Sequence, residues 1–173
     1  MKIRSLFAAS VLAIAAAAPL SAQQPIQIAL FTPVQIVPEN QSVTVLRFNF
    51  LYSVNRSVQY VDLGFVNVTS GGASQGVQWA AVAINKGSFT GWQSAAIAVT
   101  QGPFLGLQSG WFTSARQGRG VQWGVVNTAR SWNGLQFGLV NYTQRLHGVQ
   151  IGLINIIQQG GALPVLPIVN WSF

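Results

Sequence analysis

From Val43 onward, apolar and polar residues alternate in short stretches, and the stretches recur at a nearly fixed interval. The clearest are Gly120–Val121–Gln122–Trp123–Gly124–Val125–Val126–Asn127, Gly134–Leu135–Gln136–Phe137–Gly138–Leu139–Val140–Asn141 and Gly148–Val149–Gln150–Ile151–Gly152–Leu153–Ile154–Asn155. All read G-h-Q-h-G-h-h-N, with h apolar, and a constant step carries Gln122 to Gln136 and Gln136 to Gln150. Upstream, Gln108 precedes Gln122 by the same step, and the steps back to Gln93 and Gln78 are longer by a single position each. Asp62 and then Arg47 continue the series at steps of nearly the same length. The repeat column is thus Arg47, Asp62, Gln78, Gln93, Gln108, Gln122, Gln136 and Gln150, eight units in all.

Alternation with period two marks a strand, because successive side chains leave opposite faces of an extended backbone. One face of each unit is apolar, as in Val121, Trp123 and Val125; the other carries Gly120, Gln122 and Gly124. Abundant Gly and β-branched residues argue against helix. The fold class expected is all-β, a parallel β-solenoid of about eight short coils in which like residues stack on like. Gln would then form a ladder, side-chain amides donating and accepting along the stack, and Arg47 would lie beside Asp62. At ~4.8 Å per coil the rod would be roughly 38 Å long.

The alternative is a small antiparallel outer-membrane β-barrel, suggested by Val169, Trp171 and Phe173 alternating up to a final Phe. A barrel needs cumulative stagger between strands, and equal steps centred on Gln provide none. The apolar run Leu135–Phe137–Leu139 would also span only about 14 Å of a lipid band of about 25 Å.

In the solenoid, the apolar face is expected to fill the core, taking Trp79, Trp92, Trp111 and Trp123 with it. The flat Gly/Gln face would then be free for a partner, and Trp132, on that second face, would be an exposed contact.

The chain divides into residues 1–22, 23–42 and 43–173. The first has a basic head, Met1–Lys2–Ile3–Arg4, an apolar run from Leu6 to Leu20, and Ser21–Ala22. That order is a secretory signal peptide, cut after Ala22. Residues 23–42, with Pro25, Pro33 and Pro38, are expected to form an N-terminal cap or extension. The β-repeat domain follows, ending in a C-terminal cap where Pro164 and Pro167 would interrupt pairing.

Cysteine is absent, so neither disulfides nor thiolate metal sites arise. Charged residues make up 6% of the chain, and beyond the leader seven basic residues face two acidic ones, a net of +5. The basic residues are spread along the sequence, without the basic stripe and aromatic platforms of a nucleic-acid surface. They fit solubility or weak attraction to anionic lipid or polysaccharide.

The repeat resembles that of the bacterial surface repeat-containing proteins, with their tandem GLQxGLxN-type units; Gly134–Asn141 is the nearest copy. Val45–Leu46–Arg47–Phe48–Asn49–Phe50–Leu51–Tyr52, followed by Asn55 and Val61–Asp62–Leu63–Gly64, is similar to the way those repeats begin. The resemblance runs from Val43 to the C-terminus and carries no catalytic motif. Ala83, Ala98 and Thr113 stand where the pattern has Asn, so a continuous Asn column is not expected. The family implies an envelope or surface location.

Catalysis needs positioned acids, bases or nucleophiles. After the leader, Glu39, Asp62 and His147 are the only carboxylates and imidazole. Glu39 sits in a turn-like Pro38–Asn40 context, Asp62 in the repeat column, and His147 where neighbouring units have Asn133 and Arg119. No catalytic, cofactor or metal site is expected. The reading is a non-enzymatic exported protein of a Gram-negative envelope, in the periplasm, outer membrane or cell surface. Its partner would be an envelope protein or glycan, with outer-membrane association as a further option, and not a nucleic acid.

Overall fold

In a computed structural model that describes residues 24–173, the chain is all-β and winds as a parallel solenoid. The expected leader, residues 1–22, lies outside the described residues. The strands are β1 (Gln24–Phe31), β2 (Val34–Gln35), β3 (Val43–Asn55), β4 (Gln59–Thr69), β5 (Ala73–Asn85), β6 (Ser88–Phe137), β7 (Val140–Gln159) and β8 (Val165–Ser172), in one sheet ordered β2-β1-β3-β4-β5-β6-β7-β8. β6 turns several corners without losing strand geometry. Pairing is parallel from β1 through β7 and antiparallel only where β2 and β8 fold back at the two ends. An outer-membrane barrel is antiparallel and staggered, so the barrel alternative is set aside. Here Arg47 pairs with Asp62, Asp62 with Gln78, Gln78 with Gln93 and Gln136 with Gln150, without stagger.

Among the described residues there are nine coils, one more than the sequence repeat suggests. The additional member is Gln27, which pairs in register with Arg47 and is fully buried. It escapes periodicity analysis because the loop around Pro33 and Pro38 sets it further from Arg47 along the chain than any other neighbours in the column. At the far end β8 lies antiparallel across β7, placing Asn170 on Gln150. Pro167 falls where the pairing shifts between Gly152 and Asn155, so its missing N–H breaks no regular ladder bond.

The interior reverses the expectation about faces. The Gly/Gln face points inward and the apolar face outward. Every member of the repeat column is buried, whereas Trp79, Trp92, Trp111 and Trp123 are exposed, Trp111 at 75% and Trp123 at 61%. A coil this short flattens into two strand layers about 10 Å apart. That gap admits planar amides and small residues but not Trp on every level. Burying an amide is costly unless it is bonded, and from Gln93 to Gln150 stacking on the glutamine before supplies a bond at each level.

The opposite end of each coil's interior does hold apolar side chains: Phe89, Phe104, Trp132, Leu146 and Ile157, with Ala115 and Ala129 alongside. Phe89 stacks on Phe104 and Phe104 on Trp132, each at 5.9 Å between centroids. Trp132, expected outside, is 1% exposed. It fits because the preceding coil has Gly118 there: a Cβ on Gly118 would lie 2.1 Å from the indole ring. The indole Nε1 has no hydrogen-bond partner. Trp132→Phe, which keeps the stack and removes the orphan donor, is therefore expected to leave stability within about 1 kcal/mol. Trp132→Ala should cost about 3–5 kcal/mol through the cavity it opens; urea denaturation of the two variants checks the contrast.

Candidate interaction surface

The repeat column forms one directional network. Arg47 makes a two-pronged ion pair with Asp62, Nε to Oδ1 and Nη2 to Oδ2, both at 2.7 Å, and donates from Nη1 to the Val68 carbonyl at 2.8 Å. Asp62 also accepts from Gln78 Nε2 at 2.5 Å and Asn67 Nδ2 at 2.9 Å. From there each glutamine donates to the one before it. Gln93 to Gln78, Gln108 to Gln93, Gln122 to Gln108, Gln136 to Gln122 and Gln150 to Gln136 give 2.9, 2.8, 2.8, 2.5 and 2.7 Å. A carboxylate only accepts, so Gln78 must turn its NH2 toward Asp62, and every later amide follows. The ladder ends at Gln150, whose Oε1 is buried with no donor; Asn170 above it bonds instead to the Leu163 and Asn155 carbonyls.

A second ladder runs the other way. Asn127 donates to Asn141 at 2.8 Å and Asn141 to Asn155 at 2.7 Å; Asn67, at the same position near the other end, accepts from Asn49, which stands in register with Gly64. Between these stretches it is interrupted, as the missing asparagines imply, and Ala83 and Ala98 pack with Ala80 and Ala95 in a small apolar cluster. The two positions are coupled. Where Asn stands five residues after the column position, Gly stands two after it; where Ala stands five after, Ala stands two after. A Cβ on Gly138 or Gly152 would approach Asn127 or Asn141 Nδ2 to 2.6 or 2.7 Å.

These groups are therefore committed to internal bonding. The remaining candidates do not converge. Glu39 is exposed in the loop of the first coil, and His147 is exposed beside Asn133, its ring 6.1 Å from that of Phe173. Asp62 and His147 are separated by several coils, a distance on the order of 25 Å at the usual strand spacing.

The chain matches no family model, no curated protein and no solved structure.

What faces solvent is arranged by position within the coil. Positions from one before to four after the column residue carry most of the exposed apolar side chains, including Phe65, Ile97, Trp111, Trp123, Leu139 and Leu153. This apolar side turns a corner and continues onto the next strand layer through Val82, Val126 and Val140. Ser94 and Ser109 interrupt it, leaving a groove of about 590 Å³ bordered by Trp92, Trp111, Trp123 and Phe137. The Trp92 Nε1 donates to Ser109 Oγ at 3.1 Å within it.

The cations occupy a different edge. Arg56, Lys86, Arg116, Arg119, Arg130 and Arg145 all fall eight to eleven residues after a column position, and all are exposed. Residues scattered in sequence are thereby gathered along one return turn. Arg116 and Arg130 flank a groove of about 430 Å³ that Gln101, Tyr142 and Gln144 also line. Among the described residues the one ion pair is Arg47–Asp62, so this edge keeps its charge.

Proposed function

We propose that the chain is a non-enzymatic interaction protein of a bacterial envelope, related to the surface repeat-containing proteins that its GLQxGLxN-type units resemble. The observation that carries this reading is the division of labour between interior and exterior. Amides, the Arg47–Asp62 pair and most glycines serve to stack coils, while a periodic apolar and cationic surface faces outward. Such a solenoid offers a partner an extended, regular contact area instead of a pocket for chemistry. The flat Gly/Gln face is inside and cannot serve as that area, so recognition passes to the apolar side.

Cell fractionation with intact-mass measurement tests the proposal. The expected result is a chain beginning at Gln23 in the envelope fraction. An intact chain retaining residues 1–22 in the cytosol would overturn it.

A further inference from the structure

The tryptophans and the arginines stand on opposite layers of the coil. The Thr128 carbonyl and the Thr143 hydroxyl bond across the interior to Gln122 and Gln136, at 3.2 and 2.6 Å, so the layer carrying Arg116 and Arg130 backs the one carrying Trp123 and Phe137. The grooves on the two layers share no lining residue. We infer that the chain forms a two-fold dimer in which the apolar layer of one copy packs on that of a second. The two rods run antiparallel, with the axis between the coils of Gln108 and Gln122. The inference rests on the reading of the apolar side as the contact area and names what it contacts.

Charge, size and relief each favour a second copy over a bilayer. Among the described residues, the outward positions one before, one after and three after the column are all apolar except Ser94 and Ser109, and none is charged. Two such layers meet without bringing like charges together, because Arg116 and Arg130 of each copy stay on the far side. A bilayer against this layer would find no cation for its headgroups. The overlap takes in seven coils, from Asp62 to Gln150. At ~4.8 Å per coil and ~3.3 Å for each of about five residues across, it covers roughly 550 Å² on each copy. The total of about 1,100 Å² clears the ~1,000 Å² expected of a specific interface.

Relief fixes the axis. A two-fold between the coils of Gln108 and Gln122 sets the Gln122 coil on the partner's Gln108 coil, and the Gln136 coil on its Gln93 coil. Trp123, 61% exposed, then faces Ser109, and Phe137 faces Ser94, both where the surface drops into the groove. Three positions after the column the same register sets Leu139 on Ala96 and Leu153 on Ala81. Large side chains thus meet small ones in both directions, as an isologous contact requires. The bond from Trp92 Nε1 to Ser109 Oγ lies within one copy and survives when the groove is covered. A fluid bilayer has no use for such matching.

Sedimentation of the chain as isolated from cells tests the inference. The expected species is a dimer, and Trp123→Asp should sediment as a monomer with the wild-type circular dichroism. Ser109→Trp sets indole against indole and should weaken dimerisation roughly a hundredfold, about tenfold at each of the two symmetric contacts. The exchange Ser109→Trp/Trp123→Ser returns a large residue opposite a small one and should recover most of that loss.

A chain that stays monomeric overturns the inference, as does one that remains monomeric and binds phosphatidylcholine vesicles. So does a dimer indifferent to Trp123→Asp, or an exchange variant no better than Ser109→Trp. If the monomeric chain is nevertheless found processed in the envelope, the interaction reading stands and self-association alone is removed.

Discussion

Asp62→Ala is expected to destabilise the solenoid by about 3–5 kcal/mol, because it leaves Arg47 buried without its counter-charge. The loss falls on several bonds at once. Arg47 loses both prongs of its pair, and Gln78 and Asn67 lose the carboxylate they donate to. Arg47→Ala should cost a similar amount by stranding the carboxylate. The informative variant is the double substitution Arg47→Gln/Asp62→Gln. It extends the glutamine ladder by two coils at spacings the column already accommodates, so it should recover at least half of the single-variant loss. Denaturant midpoints of the wild type, Arg47→Gln, Asp62→Gln and the double variant form the cycle that tests this. Losses that simply add would show that the two residues do not act as a unit. Recovery would also suggest why an ion pair stands there. Gln can stack with its NH2 toward either end, whereas an acceptor-only residue fixes the direction for all six glutamines.

The second large effect is expected at the coil corners. Gly76, Gly91, Gly106, Gly120, Gly134 and Gly148 form a column with φ between +109° and +145°, a region that L side chains rarely enter. A Cβ on Gly134 would lie 2.1 Å from the Gly120 carbonyl oxygen, and that oxygen cannot move away without disturbing the next coil. Gly134→Ala is therefore expected to cost about 4 kcal/mol or more. Gly71→Ala, where nothing lies within 4 Å of the new methyl, should instead leave stability unchanged or raise it by up to about 1 kcal/mol. Thermal denaturation of the pair separates the corner requirement from a general cost of replacing glycine. A small effect at Gly134 would mean that the corners relax. Tyr60, the non-glycine at the head of this column, carries the same strain at φ 71° where the glycine column begins.

The outward position of the tryptophans bears directly on what a sequence can reveal. Alternation separates two faces but does not say which is inside; that choice is usually made by hydrophobicity, which here points the wrong way. Trp79, Trp92, Trp111 and Trp123 share the face of Val121 and Leu135, and they are outside because the two-layer interior is too thin for them. Trp132 lies inside for the complementary reason: it is large, but Gly118 on the coil before vacates its space. Both residues stand ten after a column glutamine, yet only stacking makes them neighbours. The gathering of Arg56 through Arg145 on one edge is of the same kind. Each lies at a similar phase of the repeat, but counted along the chain they look dispersed.

Local periodicity was enough to establish the strand pattern, the column from Arg47 to Gln150, the absence of stagger that makes a solenoid and not a barrel, and the break in the asparagine ladder at Ala83 and Ala98. These features are legible in the chain because each coil repeats its predecessor. Three others emerge only on stacking: amides occupy the interior, Gln27 adds a ninth coil across an irregular loop, and the apolar side lies outward while the cations gather on a separate edge. They depend on the width of the gap between two strand layers and on contacts between coils, quantities that exist only once the chain has wound upon itself.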